Sequence, residues 1–296
     1  MSISKSNISP YVIGTMRLGK WGSNLSTKEY EKFIESCLEL NLIDFDHADI
    51  YGDYTTESEF GNVLKYRSDL RQKLRIITKC GIKMKTDNRP DHKIKSYDLS
   101  KRHIKNSVEA SLNNLNTEHI DLLLLHRPDY LMDPNEIAEA FTELKREGKV
   151  SEFGVSNFSV SQFDLLNSFT PLVTNQIEIS ISQRKAFDDG ALNQCLKLGV
   201  IPTAWSPLGG GLLFQESKDA STKRIQQTLV ALGKKYNLTA DQVLYVWLKK
   251  HPAGIIPVLG TSKISRVKAA CNALKVTLSH EEWYMLWEAA IGEEIP

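Results

Sequence analysis

Three short apolar runs in this 296-residue chain each stop on an ionisable side chain: Ile43-Asp44-Phe45 before Asp46, Ile76-Ile77-Thr78 before Lys79, and Leu122-Leu123-Leu124-Leu125 before His126. Runs this short suit strands buried on both faces, as in a parallel sheet. A polar residue at the exit of such a strand is where barrel enzymes gather their chemistry. Tyr51 lies five residues beyond Asp46. An acid, a base, an imidazole and a phenol are therefore expected to converge at one mouth.

The rest of the chain alternates strand and helix. Asp133 with Glu136 makes a capping-box-like start, Pro134 takes the first helical position, and Ile137, Phe141 and Leu144 share one face before Gly148. Ser100 opens another helix, in which Ile104, Val108, Leu112 and Leu115 form the apolar stripe. Further strands are expected at Tyr11-Val12-Ile13, Phe153-Gly154-Val155, Leu172-Val173-Thr174, Ile201-Pro202-Thr203-Ala204 and Ile255-Ile256-Pro257-Val258, eight in all. Alternation implies parallel pairing, and eight units favour a closed α/β barrel, the (β/α)8 or TIM barrel, over an open sheet. An open dinucleotide-binding sheet should carry Gly-x-Gly-x-x-Gly after an early strand, and none follows one here. Gly209-Gly210-Gly211 reads either as a flexible loop over the mouth or as a plain turn. Ser279 with Glu282 caps an additional C-terminal helix bearing Trp283, Leu286, Trp287 and Ala290, expected to pack outside the barrel. No linker, low-complexity tract or repeat marks a boundary, so residues 1–296 are expected to form one domain.

Bulk properties narrow the function classes. With 37 Lys+Arg against 36 Asp+Glu the net charge is +1, which argues against nucleic acid or an anionic membrane as partner and favours a small molecule. The stretch Met1-Ser2-Ile3-Ser4-Lys5-Ser6 lacks an apolar core of signal-peptide type, and no window approaches the ~20 apolar residues of a membrane span. The expectation is a cytoplasmic protein. Cys37, Cys80, Cys195 and Cys271 are scattered singly, as reduced thiols would be.

If Lys79 leaves its strand level with Asp46, its ammonium lies between the Asp46 carboxylate and the Tyr51 hydroxyl. A free phenol titrates near ~10, and a close cation favours the phenolate, so Tyr51 is expected to be drawn down into a usable acid and base. Asp46 would keep the lysine charged, and His126 would hydrogen-bond and orient a substrate oxygen. Such a site can protonate a carbonyl oxygen while a reactive group brought from outside attacks the carbon.

Four stretches then resemble the aldo-keto reductases: Phe45-Asp46-His47-Ala48-Asp49-Ile50-Tyr51-Gly52; Thr78-Lys79-Cys80-Gly81; Ser111-Leu112 through Ile120-Asp121-Leu122-Leu123-Leu124-Leu125-His126-Arg127-Pro128-Asp129; and Gly154-Val155-Ser156-Asn157-Phe158. They occur in register, from about Val12 onward. The flanking text, including Trp205-Ser206-Pro207-Leu208-Gly209-Gly210-Gly211 and Lys263-Ile264-Ser265-Arg266-Val267, looks closest to the bacterial YdhF-type oxidoreductases of that family. The resemblance implies a (β/α)8 barrel binding NADPH/NADP+ across its C-terminal face and reducing a small-molecule carbonyl substrate. It makes Tyr51 the acid, assisted by Lys79 and Asp46, with His126 orienting the carbonyl. Ser156, Asn157 and Gln176 match positions that hold the nicotinamide carboxamide, Trp205 the stacking ring, and Ser206 and Leu208 the same lining turn. Gly260-Thr261-Ser262-Lys263-Ile264-Ser265-Arg266 matches the segment for the adenosine 2′-phosphate, with Gly260, Ser262, Lys263 and Arg266 as contacts. Cations and hydroxyls at a helix start suit a phosphate on physical grounds too.

Competing readings apply to the neighbours. His47 and Asp49 could suggest a metal with Asp46 and His126, but alternate strand residues point to opposite sides and no His-x-His pair occurs, so no metal is expected. Asp49 reads as a rim or structural residue, and Arg127 and Asp129 as a pair at the strand exit. Trp21 and Tyr54 are candidates to line the substrate pocket. The short connection from His126 to Pro134 and the short tail Ile291-Gly292-Glu293-Glu294-Ile295-Pro296 suggest that the pocket is open. Two rival functions are a regulatory NADP(H)-binding subunit, disfavoured here by the lack of a long N-terminal extension, and a metal-dependent barrel hydrolase.

Overall fold

The computed structural model describes residues 9–295; the Met1–Ser6 stretch considered above lies outside them. Eight strands close into a parallel barrel: β1 (Val12–Gly14), β2 (Asp44–Asp46), β3 (Arg75–Cys80), β4 (Ile120–Leu125), β5 (Val150–Ser156), β6 (Asn175–Glu178), β7 (Thr203–Trp205) and β8 (Ile256–Leu259). Their order around the ring is β1-β8-β7-β6-β5-β4-β3-β2. The registers pair Asp46 with Ile77 and Lys79 with Leu124, so Asp46, Lys79 and the residue after Leu125 reach the same end. Among the described residues, no helix is long and apolar enough to cross a membrane.

Contacts divide the chain into two compact units. The first runs to Gln176 and includes Gly260–Ile264. The apolar residues of its β3 and β4 are buried, with Ile76, Leu123, Leu124 and Leu125 at most 1% exposed. The helix Lys101–Leu115 begins where Ser100 accepts the His103 N–H, and buries Ile104, Val108, Leu112 and Leu115 as the stripe predicts. The helix Pro134–Arg146 differs from expectation at its cap. Asp133 caps it by accepting the Asn135 N–H, while the Glu136 carboxylate accepts the Lys101 N–H instead of closing a capping box. Asp129 accepts the N–H groups of Leu99 and Leu131, a loop-ordering role.

The second unit comprises Ile177–Leu259 and the residues from Ser265 onward. Its C-terminal helix His280–Ile291 starts with the predicted Ser279–Glu282 capping box and packs on the helix Ala220–Tyr236. Trp247 and Trp283 stack with centroids 5.0 Å apart, and each indole N–H donates to the other residue's carbonyl at 3.1 Å. Two expected segments shift. The strand predicted at Leu172–Thr174 begins at Asn175, although Val173 N–H already bonds Phe153 C=O at 2.9 Å. The one predicted at Ile201–Ala204 begins at Thr203, after Pro202, which has no N–H to contribute. Gly209–Gly211 does not form an open loop. It opens a 3₁₀ turn, Gly209–Phe214, that buries Leu213 and is tied down by the Gln226 amide on Leu213 and Gln215 carbonyls.

Candidate active site

β2 delivers Asp46 and β3 delivers Lys79 to the same barrel end, and both are almost wholly buried, at 2% and 1% exposure. An ammonium has three N–H donors, and Lys79 Nζ uses them all: on Asp46 Oδ2 at 2.7 Å, His47 C=O at 2.8 Å and Tyr51 Oη at 3.0 Å. That saturation fixes the lysine without a rotamer to spare. Asp46 is held in turn by Gln176, whose Nε2 donates to Oδ1 at 3.0 Å. His126 follows β4, its N–H bonded to Cys80 C=O at 2.8 Å, and its ring meets Tyr51 edge to face at 5.9 Å. The four residues singled out in the sequence are thus brought together.

The electrostatics depart from the expectation in one respect. Burial raises the Tyr51 phenol above its ordinary value; Lys79 pulls the other way, and Asp46 and Asp49 push up again, so the net direction is upward. Tyr51 is therefore held protonated instead of being brought toward neutrality. Burial works against the Lys79 charge, but Asp46 and Tyr51 outweigh it and hold the ammonium above its usual range. Burial, with Lys79, Arg127 and Lys95, drives His126 well below the usual imidazole range, so it is neutral and offers one N–H. Its Nδ1 is buried without a partner among the described residues.

Around this core, Ser156 Oγ donates to Gln176 C=O at 2.9 Å and accepts from Asn157 Nδ2 at 2.7 Å, while Asn157 takes a left-handed φ of 62°. Ser156, Asn157 and Gln176 form one network at the strand exits, and Gln176 also supports Asp46. Trp205 ends β7, and the next residue, Ser206, turns left-handed at φ 49° into a turn closed by Gly209 N–H on Ser206 C=O at 2.9 Å. Leu208 precedes the 3₁₀ turn. The ten-residue helix Ile264–Ala273 starts just after Lys263, whose N–H donates to Thr261 Oγ1 at 3.1 Å. Lys263 and Arg266 are exposed and form no ion pair among the described residues. Ser262 Oγ meets Ser23 Oγ at 2.5 Å, and a Cβ on Gly260 would face open space.

Of the pocket candidates, the Trp21 ring stands 6.3 Å from the Tyr51 ring, but Tyr54 is drawn away to bond Met84 N–H through its hydroxyl. His47 is core: fully buried, its Nδ1 meets Thr15 Oγ1 at 3.1 Å and its ring packs edge to face on Phe60. Two contributors went unrecognised in the sequence. The His47 carbonyl is a lysine acceptor, which no sequence pattern signals. Asn175 is buried, its Nδ2 donating to Phe158 C=O at 2.9 Å and its Oδ1 without a partner among the described residues. The adjacent polar pair Asn175-Gln176 was its available signal.

Known proteins resemble this chain over nearly its full length. The chain is 46% identical over 286 residues to the uncharacterized oxidoreductase YcsN of Bacillus subtilis, covering 96% of this chain and 94% of that one. It is 42% identical to the oxidoreductase YdhF of Escherichia coli (97% and 95% covered) and 41% identical to a 6-dehydroglucose reductase of Agrobacterium fabrum (98% and 97%). A crystal structure of a thermostable aldo-keto reductase in complex with the inhibitor epalrestat superposes with a TM-score of 0.79 at 26% identity, covering 95% of each chain. The model of the aldo/keto reductase family matches residues 10–291, and the chain belongs to that family.

Proposed function

We propose that the protein is an NADPH-dependent carbonyl reductase in which Tyr51 is the general acid, and that residues 1–296 work as one aldo-keto reductase domain. The observation that carries the reading is the saturated Lys79 ammonium, which has its third hydrogen bond on Tyr51 Oη. When bound, NADPH supplies the hydride. Tyr51 gives its proton to the carbonyl oxygen, and the raised phenol keeps that proton available at neutral pH. Neutral His126 donates its N–H to the same oxygen and aims the carbonyl. Lys79 neutralises the phenolate left behind, and Asp46, backed by Gln176, keeps Lys79 charged and in place.

The cofactor fits the residues present. Lys263 and Arg266 bring two cations, without an ion pair among the described residues, to a helix start, where main-chain N–H groups and the helix dipole also favour an anion; the open space at Gly260 admits a phosphate close to the backbone. These features support the 2′-phosphorylated cofactor. Ser156, Asn157 and Gln176 would hold the nicotinamide amide, and Trp205, Ser206 and Leu208 its face.

The test is cofactor consumption across a chemically varied carbonyl panel, with NADPH and NADH in parallel. The panel includes 6-dehydroglucose, because relatives 41% and 34% identical carry the name 6-dehydroglucose reductase. NADPH oxidation with at least one aldehyde, and much weaker use of NADH, is expected. Equal use of NADH would remove Lys263 and Arg266 from the cofactor site.

A further inference from the structure

Directly after Tyr51 the backbone is left-handed for three successive residues: Gly52 at φ 60°, Asp53 at 60° and Tyr54 at 69°. Glycine enters this region freely, whereas a side chain crowds the neighbouring carbonyl there. Of the eight described non-glycine residues with positive φ, Tyr54 is the one aromatic. Strain of this kind persists only where the surroundings over-determine it.

The surroundings here are the excursion that follows β3, from Ile82 to Tyr97. Its ends pair as two short antiparallel strands, and its tip is closed by Arg89 N–H on Thr86 C=O and by a His92 Nδ1–Met84 carbonyl contact, both at 3.0 Å. Tyr54 docks onto it at every edge. Its hydroxyl accepts the Met84 N–H at 2.9 Å and donates to Ile82 C=O at 3.4 Å; the Arg89 guanidinium lies 4.4 Å from its ring centroid; the His92 ring meets its face at 6.3 Å. Asn88 Nδ2 donates to Asp53 C=O at 2.7 Å, pinning the preceding strained residue. The Lys20–Asp53 ion pair is exposed and adds little.

We propose that Tyr54 is a positioning residue for the reaction: anchored on the Ile82–Tyr97 excursion, it holds the left-handed turn that keeps Tyr51 Oη 3.0 Å from Lys79 Nζ. The turn is short, with Thr55 N–H on Tyr51 C=O at 3.1 Å and the helix Thr56–Tyr66 starting at once, so relaxation at Asp53 and Tyr54 re-aims Tyr51 itself. The inference rests on the reading of Tyr51 as the acid.

Tyr54→Phe keeps the ring and removes both hydroxyl bonds. With 4-nitrobenzaldehyde and NADPH as probe, kcat is expected to fall about ten-fold while KM and NADPH affinity stay within about two-fold, the signature of misplaced reacting groups. The groups facing Tyr51 are Lys79 on β3, Asp46 on β2, Asp49 on its own loop and His126 after β4. Drawing the phenol off Lys79 leaves the acids to dominate, so the rising pH limb of 4-nitrobenzyl alcohol oxidation by NADP+ should move upward by about half a unit or more. A merely structural role would lower the melting temperature without moving that limb. Asn88→Ala alters an exposed side chain, should produce the same changes in smaller degree, and decides the matter if Tyr54→Phe is destabilised. Wild-type kcat and an unshifted limb in both variants would overturn the proposal. Turnover by Tyr51→Phe would instead overturn the acid assignment; an inactive Tyr51→Phe beside a wild-type Tyr54→Phe would remove the positioning role alone.

Discussion

Strands β2 and β3 carry two acid–base pairs, one toward each end, and the two are built for different ends. Asp44 and Arg75 sit directly across the ladder and meet fork to fork, with Arg75 Nε and Nη2 both on the Asp44 carboxylate and Ser9 N–H on Oδ2 at 2.9 Å. The guanidinium's planar donors match the carboxylate, which takes two of them side by side. Asp46 and Lys79, at the other end, use a point-charge ammonium whose remaining donors reach the His47 carbonyl and a phenol. The ammonium's tetrahedral donors point in three separate directions, and in one of them stands Tyr51. On the proposed reading, one ion pair of these two strands serves the fold and the other the reaction.

The comparison can be broken by substitution. Lys79→Met should have the largest effect: it strands a buried Asp46 carboxylate at a cost of about 3–5 kcal/mol and removes the phenol's cation, so turnover should fall by about 10²-fold or more. Near-normal carbonyl reduction would refute the division of labour. Asp44→Ala should cost about 3 kcal/mol in urea unfolding by leaving Arg75 without its partner, yet leave kcat of the folded enzyme unchanged. A selective loss of kcat would show that this end also serves the reaction.

A smaller, pH-dependent effect sharpens the contrast. Burial, aided by Lys79, lowers His47 to about 3, so it is neutral in the fold but takes up a proton in the unfolded chain below 6.5. The unfolded state then binds more protons, so stability is complete above pH 6.5 and declines as pH falls toward 3. The slope is about 1.4 kcal/mol per pH unit, or about 2 kcal/mol between pH 6.5 and 5. Chemical denaturation at pH 7 and pH 5 measures it, and an unchanged midpoint would mean that His47 is not held neutral.

Much of this design is written in local sequence. The strand exits at Asp46, Lys79 and His126 are legible because an apolar run ending in a charge has few alternatives inside a barrel. The caps at Ser100 and Ser279 are legible because capping is local chemistry. What escaped depends on burial and on distant partners. Asn175 and Gln176 are strand residues at 2% and 3% exposure, yet polar residues after Pro171 and Thr174 read as the end of a strand rather than its start. Glu136 has the spacing of half a capping box, but its carboxylate accepts from Lys101, thirty-five residues away in sequence. The direction of the Tyr51 shift is hidden for the same reason: spacing reveals the cation, but only the packed structure reveals how completely the phenol is desolvated.

The central claim is that Tyr51 delivers the proton and that Lys79 and Asp46 exist at this end to serve it. Tyr51→Phe, which removes one oxygen from a ring packed against His126, tests it most directly when steady-state reduction of an aldehyde and NADPH binding are measured on the same sample. Turnover should fall by at least about 10³-fold while NADPH affinity stays within about two-fold. Retained turnover with intact cofactor binding would contradict the account.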